Sequence, residues 1–377
     1  MDTHFNTILH LTHGNIMVDG RIIRELTFLK SHYKDIHFVA IGIGNHKTIT
    51  DSNLTIMSIP LFSKKIPLIR IFKVPIMYME WLVRLACRLR RLSPLVIHTH
   101  YYQTLLASII MKSRNSKIIY DAHELESGQT TNRVFSQFIL GIEKFSFSRI
   151  DFLFTVSPSI NQFYSKKFNL SNNKILYNIP TNSNKGRIEK NYFRKKYSIP
   201  EESTIFVHSG FLSKNRGIEI ILDVFGTIEL DAVMIFVGTG EALDLILRHS
   251  HYQKNIFVHP MVNPLEVIKT LSSADCGILT LSPDNKNLIN ALPNKFFEYM
   301  HSGLFIISTK NNNIDYALEQ YAYGVGIDYD YHQLRIAVRN FILEVPKKEK
   351  VYVPSEYSYE AYKETLIKVY NELICVK

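Results

Sequence analysis

The chain has 377 residues, which is long for a single hydrophobic core and predicts two domains. A composition of 46% hydrophobic and 21% charged residues excludes a disordered chain and is typical of a globular enzyme or binding protein. The formal net charge of +10 favours an anionic partner, either a polyanion or an anionic membrane surface.

Other features of the sequence exclude further classes of protein. The three cysteines, Cys87, Cys276 and Cys375, lie far apart, and none is paired with a histidine at a metal-ligand spacing. We therefore expect no disulfide framework, no metal site and a cytoplasmic location. We expect no signal peptide, because no basic segment followed by an apolar run opens the chain, and no membrane span or nucleic-acid partner, because neither signature is present.

The first half alternates short apolar runs with longer stretches of helical period. The predicted strands are residues 7–11, 37–43, 54–59, 95–98, 117–120 and 151–156, and the predicted helices are 19–31 and 103–111. This alternation predicts a parallel sheet with helices on both faces.

Residues 62–92 combine basic and apolar side chains. The basic residues interleaved with Ile, Leu and Phe are Lys64, Lys65, Arg70 and Lys73, and four arginines follow. Such a mixture can lie on an anionic bilayer surface. The alternative is a core helix over 76–92 that packs on the sheet and keeps a basic outer edge. The sequence leaves both interpretations open.

The second half repeats the alternation after a polar linker, 179–200, which is expected to hold one short helix. The predicted strands are 204–209, 232–238, 256–259, 276–280 and 305–309. The predicted helices are 217–225, 241–248, 265–274, 294–301 and the closing helix 358–373. Two open α/β sheets predict a ligand at the carboxyl ends of their strands, in a cleft between the two halves.

Three strand ends of the second half carry candidate binding residues. The loop 208–217 brings Gly210, Lys214 and Arg216 to a helix N-terminus, where two cations favour a bound phosphate. Gly238 lies in a partial glycine fingerprint, and Val262 lies in a turn that could hold a nucleobase through backbone groups. Each loop also has a simpler interpretation as an ordinary strand-to-helix connection.

The segment 290–303 contains a further candidate site. A helix starting at Pro293 or Asn294 would place Lys295 in its first turn and Glu298 one turn in. The open helix start suits a diphosphate, and the carboxylate suits a pair of sugar hydroxyls. The alternative is a capped core helix whose Glu298 faces solvent.

In the first half, Asp121, His123 and Glu124 follow a strand and could serve in acid–base chemistry or hydroxyl binding. The alternative is a histidine satisfied within its loop. We interpret His98, Thr99 and His100 as mainly structural, and Asp19 as a helix N-cap.

Together these elements resemble the GT-B glycosyltransferases, in particular the retaining enzymes of glycosyltransferase family four. The motifs that carry the resemblance are D-G-R at 19–21, D-A-H-E at 121–124, T-V-S-P-S at 155–159, Y-N-I-P at 177–180, the Arg216-Gly217 pair, A-L-P-N-K-F-F-E-Y-M at 291–300 and S-Y-E at 358–360. The resemblance implies two Rossmann-like domains with a deep cleft between them. The acceptor domain would be 1–182, completed by helix 357–377, and the nucleotide-sugar domain would be 183–356.

The resemblance also assigns roles to residues. Glu298 would bind the ribose hydroxyls, Arg216 would neutralise the leaving diphosphate, and His123 would contact the donor sugar. The residues expected to bind the donor are Gly210, Lys214, Gly238, Val262, Asn290, Pro293, Asn294 and Lys295. The sequence departs from the family pattern at Asn290, where a Glu is frequent, and at Phe211, where a cation is frequent.

The function implied is transfer of a sugar, with retention, from a UDP- or GDP-sugar to a lipid-linked or oligosaccharide acceptor during cell-surface polysaccharide synthesis. The nucleotide sugar is a substrate, and no cofactor or metal is expected. The enzyme would be cytoplasmic and could be peripheral on the inner face of the cell membrane through 62–92. The alternatives are a nucleotide-sugar epimerase of GT-B fold and a non-catalytic nucleotide-sugar-binding protein.

Overall fold

The two halves of the sequence fold into separate units. The computed structural model describes residues 6–45, 47–67, 69–89, 92–130, 132–181, 191–213, 216–283, 286–344 and 352–374. One unit comprises Met1–Leu176 together with Lys363–Lys377, and the other comprises Tyr177–Tyr362.

The first unit is built on an eight-stranded sheet. Its strands are β1 (Thr7–Leu11), β2 (His37–Ile43), β3 (Lys47–Asp51), β4 (Leu54–Ile59), β5 (Val96–His100), β6 (Lys117–Ala122), β7 (Phe152–Thr155) and β8 (Asn173–Ile175). They lie in the order β3-β4-β2-β1-β5-β6-β7-β8, and every pairing is parallel except that of β3 with β4. The central strands are apolar along their length because both faces of a parallel sheet are covered.

Three features of this sheet differ from the prediction. Neither edge strand was predicted, because β3 is polar and β8 has only three residues, so neither contains an apolar run. Strands β5 and β6 extend beyond the predicted ends, to His100 and Ala122. Asp121 and His100 are therefore buried within strands, whereas the sequence placed Asp121 in a loop.

Among the described residues of this unit, the helices that connect these strands are α1 (Gly20–His32), α2 (Arg70–Leu89), α3 (Leu105–Met111), α4 (Arg133–Phe147) and α5 (Pro158–Phe168). Asp19 is the N-cap of α1, as expected, because its carboxylate accepts from the backbone N–H groups of Arg21 and Ile22. Helix α2 starts six residues before the predicted core helix, and its inner face packs Trp81, Leu85 and Leu89 against the sheet.

The second unit contains a six-stranded, fully parallel sheet. Its strands are β9 (Thr204–Ser209), β10 (Ala232–Val237), β11 (Ile256–His259), β12 (Cys276–Leu279), β13 (Phe305–Thr309) and β14 (Gly324–Ile327), in the order β11-β10-β9-β12-β13-β14. Its helices are α6 (Tyr192–Tyr197), α7 (Ile218–Thr227), α8 (Leu243–Leu247), α9 (Val267–Leu271), α10 (Lys286–Asn290), α11 (Asn294–His301), α12 (Asn312–Tyr321) and α13 (Tyr331–Glu344). The last helix, α14 (Tyr359–Ile374), contributes Tyr370 to the first unit.

Among the residues described, no helix combines the length and the apolar composition that a bilayer crossing requires.

We expect the inner face of α2 to be needed for the stability of the first unit. Leu85 is fully buried beside Trp81, so Leu85→Ala should lower the free energy of unfolding by about 2–5 kcal/mol. Trp81 is the single tryptophan of the chain, so its fluorescence during urea denaturation reports on this unit. Val83→Ala, on the exposed side of the same helix, is the matched control and should change little. Equal effects of the two substitutions would contradict this packing.

Candidate functional site

The carboxyl ends of four neighbouring strands of the second unit carry most of the predicted binding residues. Gly210 follows β9, Gly238 follows β10, Val262 lies in the loop after β11, and Thr280 follows β12. This edge is where open α/β sheets bind ligands.

Helix α11 starts at Asn294, as the sequence predicted, and presents its N-terminus beside this edge. Pro293 occupies the N-cap position and makes no side-chain capping hydrogen bond. Phe296, Phe297 and Met300 are completely buried, which fixes the helix against the sheet. The backbone N–H of Ser209, at the end of β9, donates to the Tyr299 hydroxyl at 2.9 Å and thereby ties the helix to the strand.

Lys295, in the first turn of α11, is buried against His208 of β9. The Nδ1 of His208 lies 3.0 Å from the Ile278 carbonyl, so Nδ1 carries the proton and donates to that oxygen. Nε2 of His208 therefore carries no proton, and its lone pair accepts a hydrogen bond from the Lys295 ammonium at 3.1 Å. Burial, as the larger cause, and the nearby positive charge of Arg216, as the smaller one, lower the pKa of Lys295 to about 7.

Gly210 is required for this close approach of Lys295. A Cβ at Gly210 would lie 2.7 Å from Cε of Lys295, and the backbone has a φ of +94°. Any other residue there would displace the lysine and strain the turn. The glycine therefore allows the ammonium to reach the end of β9.

Arg216 and Gly217 form the start of α7. Gly217 is the N-cap with a φ of +65°, and the Thr280 hydroxyl donates to the Arg216 carbonyl. Burial is the main cause of the lowered pKa of both Lys295 and His208, and Arg216 lowers both further, whereas Glu298 raises the pKa of Lys295, so these charges act on one another. Arg216 and Glu298 are each half-buried.

These contacts give the edge of the second sheet a defined chemistry. Two cationic side chains, a neutral histidine and the starts of two helices concentrate positive potential at one place. The arrangement suits a diphosphate, and the Glu298 carboxylate nearby can accept hydrogen bonds from sugar hydroxyls.

Asn290 ends α10, and its backbone carbonyl accepts from the Asn313 side chain at 2.7 Å, so its main chain supports the loop before α11. Lys214 lies outside the described residues.

The first unit contains a buried ion pair that the sequence did not reveal. Arg21 of α1 donates from Nε and Nη2 to the two carboxylate oxygens of Asp121, at 3.0 and 2.9 Å, and from Nη1 to the Leu176 carbonyl. Burial opposes ionisation, but Arg21, His123 and His100 outweigh it and hold the pKa of Asp121 well below its usual range. Asp121 is therefore a carboxylate that can only accept hydrogen bonds.

A row of hydrogen-bonded rings leads from Tyr370 to His123. The Tyr370 hydroxyl lies 3.1 Å from Nε2 of His10, Nδ1 of His10 lies 3.1 Å from Nε2 of His100, and Nδ1 of His100 lies 3.0 Å from Nε2 of His123. His123 Nε2 is also 3.1 Å from Asp121. The predicted site residue His123 is thus the outermost ring of a buried network.

The inner histidines of this row are neutral at pH 7. Burial lowers the pKa of His10 and His100, and also that of His98, whose Nδ1 lies 2.8 Å from the Tyr370 hydroxyl; the mutual repulsion of the rings adds to the effect. A neutral imidazole has one donor and one acceptor nitrogen, so each ring constrains the next. The network consequently sets the orientation of His123.

Two groups of these side chains have the composition of metal ligands. His10, Glu25, His98 and His100 bring ligand atoms within 4.8 Å of one another, as do His100, Asp121 and His123. The hydrogen bonds already described use many of the same nitrogens. Metal independence, expected from the sequence, stays a prediction.

Comparisons with known proteins bear on the second unit most directly. Residues 189–370 match the protein family described as Glycosyl transferases group 1. The chain carries a glycosyltransferase group 1 domain. A search of curated proteins by sequence finds no match.

Solved structures of similar fold extend over nearly the whole chain. Sucrose-phosphate synthase from Thermosynechococcus elongatus is similar with a TM-score of 0.77 at 13% identity, covering 99% of this chain and 100% of that one. A glycosyltransferase from Rickettsia africae ESF-5 gives 0.66 at 13% identity, with 99% and 100% covered. HepE of Anabaena, in complex with UDP-glucose, gives 0.64 at 11% identity, with 98% and 96% covered. The GT-B fold expected from the sequence motifs is confirmed.

We expect the charge of Asp121 to stabilise the first unit in a pH-dependent way. Its folded pKa is lowered, so its contribution is present above the unfolded pKa of about 4 and is lost as the pH falls through the folded value. Asp121→Asn should lower the free energy of unfolding by about 3–5 kcal/mol at neutral pH. Trp81 fluorescence in urea provides the measurement.

The matched control is Asp51→Asn, which removes an exposed carboxylate that pairs with Lys30 in the same unit. It should have little effect at any pH. A difference between wild type and Asp121→Asn that stays constant as the pH falls below about 4 would rule out the linkage.

Proposed function

We propose that this glycosyltransferase moves a sugar, with retention, from a UDP- or GDP-sugar to a lipid-linked or oligosaccharide acceptor in cell-surface polysaccharide synthesis. The observation that carries the proposal is the charge cluster at the carboxyl edge of the second sheet. There the charge of Arg216 acts on Lys295 in the first turn of α11, and we propose that these cations and the helix start bind the diphosphate together. The location proposed is the cytoplasm.

The same cluster supports a role in stabilising the leaving group. In transfer with retention, the bond from the sugar to the diphosphate breaks while the acceptor hydroxyl approaches the same face. Negative charge grows on the diphosphate oxygen, which can then take the proton of the acceptor. Arg216 and Lys295 would stabilise that charge more in the transition state than in the ground state, which is the condition for catalysis.

Glu298 is proposed to bind the ribose, one turn further along α11. The carboxylate belongs to the same electrostatic cluster, because it raises the pKa of Lys295. A carboxylate can accept from two adjacent hydroxyls. This pairing would fix the nucleoside relative to the diphosphate.

The uridine base is favoured by one similar structure. HepE of Anabaena is in complex with UDP-glucose and shares this fold at 11% identity. His123 is proposed to contact the transferred sugar, and its neutral neighbours would hold it in place. We propose that the protein cations make a metal ion unnecessary.

The roles of Arg216 and Glu298 can be separated by comparing UDP with uridine. Arg216→Ala should weaken UDP binding about 10- to 100-fold, as expected for a charged hydrogen bond of about 1.5–3 kcal/mol, and leave uridine binding unchanged. Glu298→Gln should weaken both, because the ribose is present in both. Calorimetry measures UDP binding, and ligand-observed NMR measures uridine binding.

Arg339→Ala, on the exposed side of α13, is the matched control and should bind UDP normally. Parallel runs with GDP decide the base. If no nucleoside diphosphate or nucleotide sugar binds to the wild-type protein, the proposed function fails. Transfer to an acceptor, followed by NMR of the anomeric proton, tests retention.

The lowered pKa of Lys295 predicts how UDP binding depends on pH. Lys295 is about half protonated near pH 7, and a diphosphate favours its charged form. The affinity for UDP should therefore fall as the pH rises from about 6 to about 8. Lys295→Met should bind more weakly and lose this part of the dependence. The phosphates of UDP titrate in the same way with both proteins, so the difference between the two pH profiles of UDP affinity reports on Lys295. Parallel pH profiles would refute the assignment.

A further inference from the structure

The outer side of α2 carries a stripe of exposed apolar residues. Ile69, just before the helix, and Phe72, Ile76, Met79 and Val83 are each 43–74% exposed and recur at helical spacing. The opposite side of the helix is packed into the core through Trp81, Leu85 and Leu89. Helix α2 is therefore apolar on both sides, and burial in the core accounts for only one of them.

Residues 62–92 contain a single acidic residue, Glu80, and its carboxylate is hydrogen-bonded within the same segment. Glu80 accepts hydrogen bonds from the backbone N–H groups of Phe62 and Ser63 and from Nε of Arg84, at 2.7–2.9 Å. Burial acts against ionisation, but these bonds lower the pKa of Glu80 to about 2. They hold the turn Phe62–Lys65 against α2, so the exposed Lys64 and Lys65 lie beside the apolar stripe.

Helix α4 repeats the pattern. Val134, Phe135, Phe138 and Phe145 are 45–80% exposed along its outer side. The guanidinium of Arg149 lies over Phe145 at 4.2 Å, as that of Arg84 lies over Phe62 at 4.4 Å. An exposed aromatic ring thus pairs with an arginine beside each of the two helices.

These two stripes belong to one layer of the first unit. Helices α2, α3 and α4 connect β4, β5, β6 and β7 in order, and right-handed crossovers in one direction place them on one face of the sheet. Helix α3 packs against both neighbours, and its Ile110 is 67% exposed. We call the outer side of this layer the α2–α4 face.

The layer also accounts for the basic character of the chain. Segments 62–92, 105–114 and 133–149 contain thirteen Lys and Arg and two Glu, whereas the whole chain has 44 Lys and Arg and 34 Asp and Glu. The excess in these segments is as large as that of the entire protein. The two acids are Glu80, already described, and Glu143, which is buried and accepts from Tyr120 and Tyr164.

We propose that the α2–α4 face docks on an anionic lipid surface. Apolar and aromatic side chains would enter the boundary between headgroups and acyl chains, and the flanking cations would contact the headgroups. A second copy of the chain fits less well, because two strongly positive faces would repel each other. The biological purpose rests on the proposed function, since a lipid-linked acceptor is held at such a surface, but the contact itself requires no catalysis.

Co-sedimentation of the full chain with vesicles tests the proposal. Phosphatidylcholine vesicles containing phosphatidylglycerol should bind the protein, and salt should weaken the binding. Lys64→Ser, Lys65→Ser and Lys73→Ser combined should lower the partition coefficient about 100-fold, because each basic residue at such a surface contributes a factor of about five. Phe72→Ser, Ile76→Ser and Val83→Ser combined should lower it about tenfold or more.

The matched control for the apolar variant is Ile336→Ser with Leu343→Ser, which removes exposed apolar residues from α13 and should leave binding unchanged. Trp81 fluorescence shows whether each variant is folded. Cys87 is exposed near the end of α2, so an environment-sensitive dye there, in a Cys375→Ser background, should shift to the blue on vesicle binding. The same dye on Leu343→Cys, with Cys87→Ser and Cys375→Ser, should not shift.

Each outcome decides the question. Absence of vesicle binding by the wild type, equal binding by all variants, or a dimer that the apolar variant converts to a monomer without any lipid binding would overturn the proposal. UDP affinity is measured on the same proteins in solution. Normal UDP binding without vesicle binding would remove only the membrane contact, whereas vesicle binding without UDP binding would remove only the proposed function.

Discussion

The contact between Lys295 and His208 is the interaction on which the second unit's site depends. It joins the first turn of α11 to the end of β9, and it is possible because the Ile278 carbonyl fixes the histidine tautomer. An ammonium held this way loses water and part of its proton affinity. An arriving anion restores the charge, so the free protein bears an electrostatic cost that a ligand can remove. The positive charge of Arg216 increases this cost, and a bound anion would stabilise the Arg216 charge as well.

The sequence predicted the second unit well because its signals are local. Strand β9, strand β11 and helix α11 lie where the apolar runs and the Pro293-Asn294 start placed them. The residues predicted for binding also fall at strand ends, as parallel topology requires. The partner of Lys295 was not predicted, because His208 is 87 residues away in the sequence and lies within a predicted strand. Helix α10 and strand β14 were missed because short segments carry too few periodic positions, and the longer helices α12 and α13 were also not predicted.

In the first unit, local sequence motifs did not predict the contacts between residues that are far apart in the chain. D-A-H-E predicted a group of polar residues, but Arg21, which holds Asp121, comes from a helix 100 residues earlier. His10 and Tyr370 are separated by 360 residues and meet through one hydrogen bond. Histidines in apolar strands gave no signal by themselves: His98 and His100 were interpreted as mainly structural, and His10 was given no role. Their arrangement becomes visible only when register places β1, β5 and β6 side by side.

Strand β3 has a consequence for the behaviour of the protein in a crowded cell. It is the antiparallel strand at the border of the first sheet, five residues long and exposed at every position. A long apolar border strand would offer free amides and carbonyls to any extended chain nearby. This one is short and begins and ends in charge, with Lys47 at one end and Asp51, paired with Lys30, at the other. The sheet is thus terminated by a segment that is a poor template for amyloid-like stacking.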